Sequence, residues 1–161
     1  MIIDRVAAKV MWSKRINRFV LTKAAAGSLP FILRLPAGES WLIKRALDCG
    51  AHGLLMPMCE TKEQAPSGVC ACRHPDVERC KDGLRGTGAM FSPANFNQDG
   101  SVYLMYANQN ITLKAQIEAK KAVDNMEALA AVDSKDALFV RLIDLAYSIG
   151  FFCTDKTIQS I

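Results

Sequence analysis

Three apolar runs in this 161-residue chain each end in a charged side chain. Phe31-Ile32-Leu33 runs into Arg34, the stretch from Ile111 into Glu118, and the stretch from Ala137 into Asp144. A short apolar run closed by one charge reads as a buried strand whose last residue emerges at a sheet edge. His52-Gly53-Leu54-Leu55-Met56 is a fourth such run, stopped by Pro57. Helical patterns separate the runs, and apolar strands joined by helices pair in parallel with both faces covered. The fold class this dictates is α/β.

Local signals place the intervening elements. Ser40 is positioned to cap a helix carrying Leu42, Ile43, Ala46 and Leu47 on one face, with Gly50 ending it. Thr61 and Gln64 form a T-x-x-Q capping box for a second helix, which Pro66 and Gly68 should kink or shorten. Residues 74–100 read as a long irregular loop, and Ser101 to Asn108 as a short helix. Ala119 to Ala131 reads as one amphipathic helix with Ala119, Val123, Met126, Leu129 and Ala130 on its apolar face.

Charge narrows the function classes. The net charge of +4 resides in residues 1–26, where six basic side chains face Asp4 alone; the remainder balances 14 bases against 15 acids. Nucleic acid is therefore not an expected partner, because a basic stripe should run through the folded body. No apolar run approaches the roughly 20 residues of a membrane span. The first 26 residues lack the apolar core and cleavage site of a secretory signal. Reduced thiols in the cytoplasm are the expectation. The Arg/Lys-rich start leaves a mitochondrial presequence as the minor alternative. Cys70-Ala71-Cys72-Arg73-His74 with Cys80 departs from the usual paired-cysteine zinc spacing, so free thiols are expected there.

In parallel α/β folds the C-terminal ends of the strands line one face, where active sites gather. Arg34, Glu118 and Asp144 would share that rim. Glu118 and Asp144 are 26 residues apart, one strand-helix unit, so their carboxylates are able to converge. Two carboxylates and water suit a hard divalent cation such as Mg²⁺ or Mn²⁺. Arg34 offers a planar fork for a substrate carboxylate. The plainer alternative is that these are polar strand ends, with Arg34 paired to either acid.

Several motifs together resemble the HpcH/HpaI aldolase/citrate lyase family. They are Leu33-Arg34-Leu35-Pro36, the stretch from Leu42 to Gly53, Met56-Pro57-Met58, and Gly83-Leu84-Arg85-Gly86-Thr87-Gly88. Gln116-Ile117-Glu118, Ala122-Val123-Asp124-Asn125, and Asp144-Leu145 before Ser148-Ile149-Gly150 continue the likeness in the family's order. The resemblance implies a TIM barrel, here in part, from about the end of its second strand through the sixth. It implies a metal-dependent aldolase that cleaves 4-hydroxy-2-oxo acids to pyruvate and an aldehyde, working as a homo-oligomer. Glu118 and Asp144 match the metal ligands, for Mg²⁺ or alternatively Mn²⁺ or Co²⁺. Gln116 and Asp144 match substrate contacts, as does the backbone of Ile143. Arg34 matches the arginine that orients pyruvate, and Asp48 an aspartate that tunes a catalytic histidine. The Gly83–Gly88 loop would lie near the substrate mouth.

Departures from the pattern carry their own expectations. The family's histidine follows an acidic residue near the end of the second strand; here Asp4 is followed by Arg5-Val6-Ala7-Ala8. His52, at the start of a strand, is expected to be structural. Val140-Arg141-Leu142 stands where the family has Gly-Pro, and Arg141 is placed to pair with Asp144 and compete with a metal. A TIM barrel takes about 250 residues, so the chain reads as truncated at both ends, with a basic segment 1–26 and a partial barrel 27–161. The alternative function is a non-catalytic remnant that acts as an interaction module.

Overall fold

Phe31, Leu33 and Leu35 are buried while Ile32 and Arg34 between them stay partly exposed, the period-two pattern of a strand. The computed structural model describes residues 29–76, 81–88, 92–132 and 136–151. The strands are β1 (Ile32–Arg34), β2 (Gly53–Met56), β3 (Thr112–Ile117) and β4 (Ala137–Val140). The helices are α1 (Ser40–Asp48), α2 (Gln64–Cys72), α3 (Ser92–Asn95), α4 (Gly100–Asn110), α5 (Lys120–Asp124), α6 (Met126–Ala130) and α7 (Leu142–Ser148). The basic segment 1–26 and Cys80 lie outside the described residues. No helix among those described is long and apolar enough to cross a membrane.

The sheet runs in the order β1-β2-β3-β4, every neighbour parallel. A doubly wound sheet reverses its strand order at a switch point, whereas an unreversed order is that of a curling barrel arc. Register aligns Arg34 with Leu55, Leu55 with Lys114, and Lys114 with Ala137, one row on one face. Gln116, aligned with Phe139, stands one row nearer the C-terminal rim on that same face. The opposite face packs on the helices. Leu33, Leu54 and Leu113 meet Leu42, Ile43, Ala46 and Leu47 of α1 and Tyr103 and Ala107 of α4. A second cluster joins Ala115 and Ile117 to Ala122 and Leu129.

Several boundaries differ from the sequence expectation, each for a local reason. Helix α1 begins at Ser40 itself, because Glu39 is the extended N-cap whose carbonyl accepts from Leu42 and Ile43. Helix α2 passes through Pro66, which sits in its first turn where a missing N–H breaks no helical bond. Gln64 Oε1 accepts from the Thr61 amide at 3.2 Å, the reciprocal half of the expected capping box. Helix α4 is longer than expected because Asp99 caps it, accepting from the Ser101 amide. The loop from 74 to 100 contains the short α3.

The expected helix from Ala119 to Ala131 is two helices, broken at Asn125. That side chain donates to the carbonyls of Lys121 and Glu60, both at 3.0 Å. The break rotates the apolar face: Ala122 and Leu129 are buried, while Val123 and Met126 are exposed. Strand β4 stops at Val140 rather than running to Asp144. The Arg141 amide donates to the Ile117 carbonyl, and the chain then coils into α7. Residues Leu84 and Arg85 do not lie near the mouth. Their amides donate to the Cys70 and Arg73 carbonyls, at the end of α2 remote from the C-terminal rim.

Candidate active site

Residues two apart on a strand face the same way, which brings Gln116 and Glu118 to the C-terminal rim beside Arg34. Arg34 Nε donates to Gln116 Oε1 at 2.9 Å, and Gln116 Nε2 donates to Glu118 Oε2 at 2.7 Å. Gln116 and Glu118 are almost fully buried, at 1% and 5% exposure. A buried carboxylate needs opposite charge and hydrogen bonds to offset its lost hydration. Glu118 has both. Arg34 Nη2 lies 3.6 Å from its Oε2, and the Met58 amide donates to its Oε1 at 2.8 Å. Met58 achieves this with φ of 49°, a left-handed conformation that a non-glycine residue adopts only when its surroundings impose it. The Met58 amide was not foreseen from the sequence; Pro57, which ends β2, was its one signal.

Asp144 reaches the same rim from the first turn of α7, not from a strand end. Arg141 stands between the two carboxylates. Its Nε lies 2.6 Å from Asp144 Oδ2, and its Nη1 3.9 Å from Glu118 Oε2. The contact to Asp144 is a charge pair without hydrogen-bond alignment, since Oδ2 is shielded and has no donor in bonding geometry. Two carboxylate donors on one rim fit the chemistry of a hard divalent cation. Arg141 occupies the position between them. Among the described residues no three His, Cys, Asp or Glu side chains gather as a metal cluster. A cleft of about 330 Å³ lies beside the cluster, beyond the C-terminal ends of β1 and β2; Pro36, Gly38, Glu39, Met58 and Ser67 line it, and none of Arg34, Gln116, Glu118 or Asp144 does. Met58 thus links the cleft wall to Glu118.

The other expected site residues are placed elsewhere. Asp48 ends α1 at the opposite end of the strands and pairs with Lys44 at 2.9 Å, so within this chain it does not meet the cluster. Ile143 lies beside Asp144 in α7, with its side chain 54% exposed. His52 is structural: its ring stacks on Phe96 at 4.4 Å between centroids, and Nε2 contacts the Asn95 carbonyl. Burial lowers its pKa. His74 is buried against the Arg85 carbonyl, and burial, with the Arg85 charge second, lowers its pKa too. Burial pushes the Cys72 thiol up to about 12, so it is a protonated thiol at neutral pH.

Comparison with known proteins bears on this geometry. The profile of the HpcH/HpaI aldolase/citrate lyase family matches residues 6–158. The hydroxypyruvate/pyruvate aldolase of Roseovarius nubinhibens is 40% identical over 119 residues, 74% of this chain and 44% of that protein. The 5-keto-4-deoxy-D-glucarate aldolase of Escherichia fergusonii is 40% identical over 121 residues, again 74% and 44%. The chain therefore spans about half the length of the curated relatives it matches. A crystal structure of an HpcH/HpaI aldolase/citrate lyase family protein from Burkholderia cenocepacia superposes with a TM-score of 0.74 at 34% identity, covering 91% of this chain and 58% of that one. The four-stranded sheet is accordingly an arc of a TIM barrel. With the motifs, the arc and the profile in agreement, the chain belongs to the HpcH/HpaI aldolase/citrate lyase family.

Proposed function

We propose that the rim of Arg34, Gln116, Glu118 and Asp144 serves a carbon–carbon lyase that cleaves 4-hydroxy-2-oxo acids to pyruvate and an aldehyde. The observation that carries this reading is the chain Arg34–Gln116–Glu118, a cation and a carboxylate joined through one buried amide on the catalytic face of a barrel arc. The pyruvate and keto-sugar-acid aldolases among the relatives support it over a non-catalytic module.

Each residue has a part in that reading. Arg34 commits Nε to Gln116, which fixes the guanidinium plane and leaves its outer edge for a substrate carboxylate. Gln116 spaces Arg34 from Glu118 and keeps both oriented. Glu118 and Asp144 would hold a divalent cation, Mg²⁺ or Mn²⁺. Such an ion, when bound, acts as a Lewis acid toward the 2-oxo group. Among the described residues no histidine reaches the rim.

The test follows pyruvate release from a 4-hydroxy-2-oxo acid in the presence of Mg²⁺ or Mn²⁺, coupled to lactate dehydrogenase. Wild type should release pyruvate, and Arg34→Met and Glu118→Gln should each lower the rate at least about a hundredfold. Release from both variants at the wild-type rate would overturn the assignment of the rim.

A further inference from the structure

The strongest unexplained feature of the rim is Arg141. Its backbone is fixed beside β3, because its amide donates to the Ile117 carbonyl at 2.9 Å, directly before Glu118. Arg141 is the extended N-cap of α7 and Asp144 follows three residues later in its first turn, the spacing at which an N-cap side chain reaches the third helical residue. The spacing Arg-x-x-Asp therefore delivers the guanidinium onto Asp144 while its other end reaches towards Glu118.

Resting on the proposed metal-dependent reading, we propose that Arg141 is an internal cation occupying the divalent-metal position of the rim, and that a metal ion binds only by displacing it. Charge supports this. Glu118 and Asp144 face Arg34 and Arg141, so the two carboxylates are compensated before any ion arrives. A compensated pair exerts little net pull on an incoming cation. Exposure indicates which group moves. The Glu118 side chain is 3% exposed and anchored by the Met58 amide, whereas those of Arg141 and Asp144 are 27% and 41% exposed. The Arg141–Asp144 contact also lacks hydrogen-bond alignment. Glu118 is therefore the fixed ligand, and the guanidinium can swing into water as the exposed Arg141–Asp144 pair opens.

Titration of Mn²⁺, followed by the paramagnetic resonance signal of the free ion, tests this without reference to activity. Arg141→Met and Arg141→Gln should each bind Mn²⁺ at least about tenfold more tightly than wild type. Arg141→Lys, which keeps the charge, should show no such gain. Adding Glu118→Gln to Arg141→Met should abolish the gain. Circular dichroism confirms folding, and either neutral variant that folds decides the matter. Equal affinity in wild type and the neutral variants overturns the displacement and leaves the metal centre standing. No Mn²⁺ binding in any variant overturns both.

Discussion

Glu118 concentrates the chemistry of this chain on one side chain. It is a buried carboxylate that one backbone amide, one glutamine and two guanidinium groups compensate. Other single residues hold the frame on which it stands. Gly50 ends α1 with φ of +85°, and a Cβ there would meet the Asn95 side chain, including its Cβ at 2.9 Å. Asn95 cannot yield freely, since its Nδ2 donates to the Cys49 carbonyl at 2.9 Å. Gly50→Ala should destabilise the fold by about 3 kcal/mol, from backbone strain and overpacking together, as read by urea denaturation. His52 and His74 set a pH response. Their pKa values are lowered in the folded chain, so the unfolded chain takes up protons first as pH falls below about 6.5. That contribution is intact above this value and is lost with falling pH until the folded-state values are passed. The thermal midpoint should therefore decline between about pH 7 and pH 5.5; a midpoint that rises over that interval would contradict the assignment of both rings as partly desolvated and neutral.

The elements were legible to different degrees. Strands β1, β2 and β3 stood out because short apolar runs ended in Arg34, Pro57 and Glu118, each a physical stop. Helix α1 was legible in its buried face, since Leu42, Ile43, Ala46 and Leu47 all pack inward. Leu142 and Ile143 continue the apolar run of β4 and so predict a longer strand, yet both lie exposed in α7. The break at Asn125 was missed for a similar reason: hydrophobic spacing continued through it, while the capping bonds of one amide side chain decided the geometry. Of the site, Arg34, Gln116 and Glu118 were legible together through the family motifs, and the Arg141–Asp144 pair through spacing. The Met58 amide was not, because φ is invisible in a residue type. Burial now separates positions that the sequence pattern made equivalent. Leu54→Ala, in the wholly buried β2, should cost about 3 kcal/mol. Val123→Ala, on the exposed face of α5, should cost about 0.5 kcal/mol or less in the same denaturation experiment.

At the scale of the whole molecule, the described residues form an arc with an apolar flank. Phe139 and Val140 of β4, Leu142 and Ile143 of α7, and Ile149 and Phe151 beyond it are each at least 40% exposed. The outer edge of β4 has no strand partner among the described residues. Open edges with exposed apolar side chains promote association. Light scattering of this chain should show self-association that grows with concentration and is reduced by Val140→Lys and Leu142→Lys. A wild-type chain that stays monomeric across the micromolar range would contradict that expectation. The opposite feature is the polar rim, which is assembled within the arc and carries the proposed function. Calorimetric titration of pyruvate in the presence of Mn²⁺ tests it most directly, with Lys44→Ala, remote from the rim, as the control. Wild type and Lys44→Ala should bind alike, while Arg34→Met should bind at least about tenfold more weakly. Unchanged affinity in Arg34→Met, or no binding by the wild type, would contradict the account.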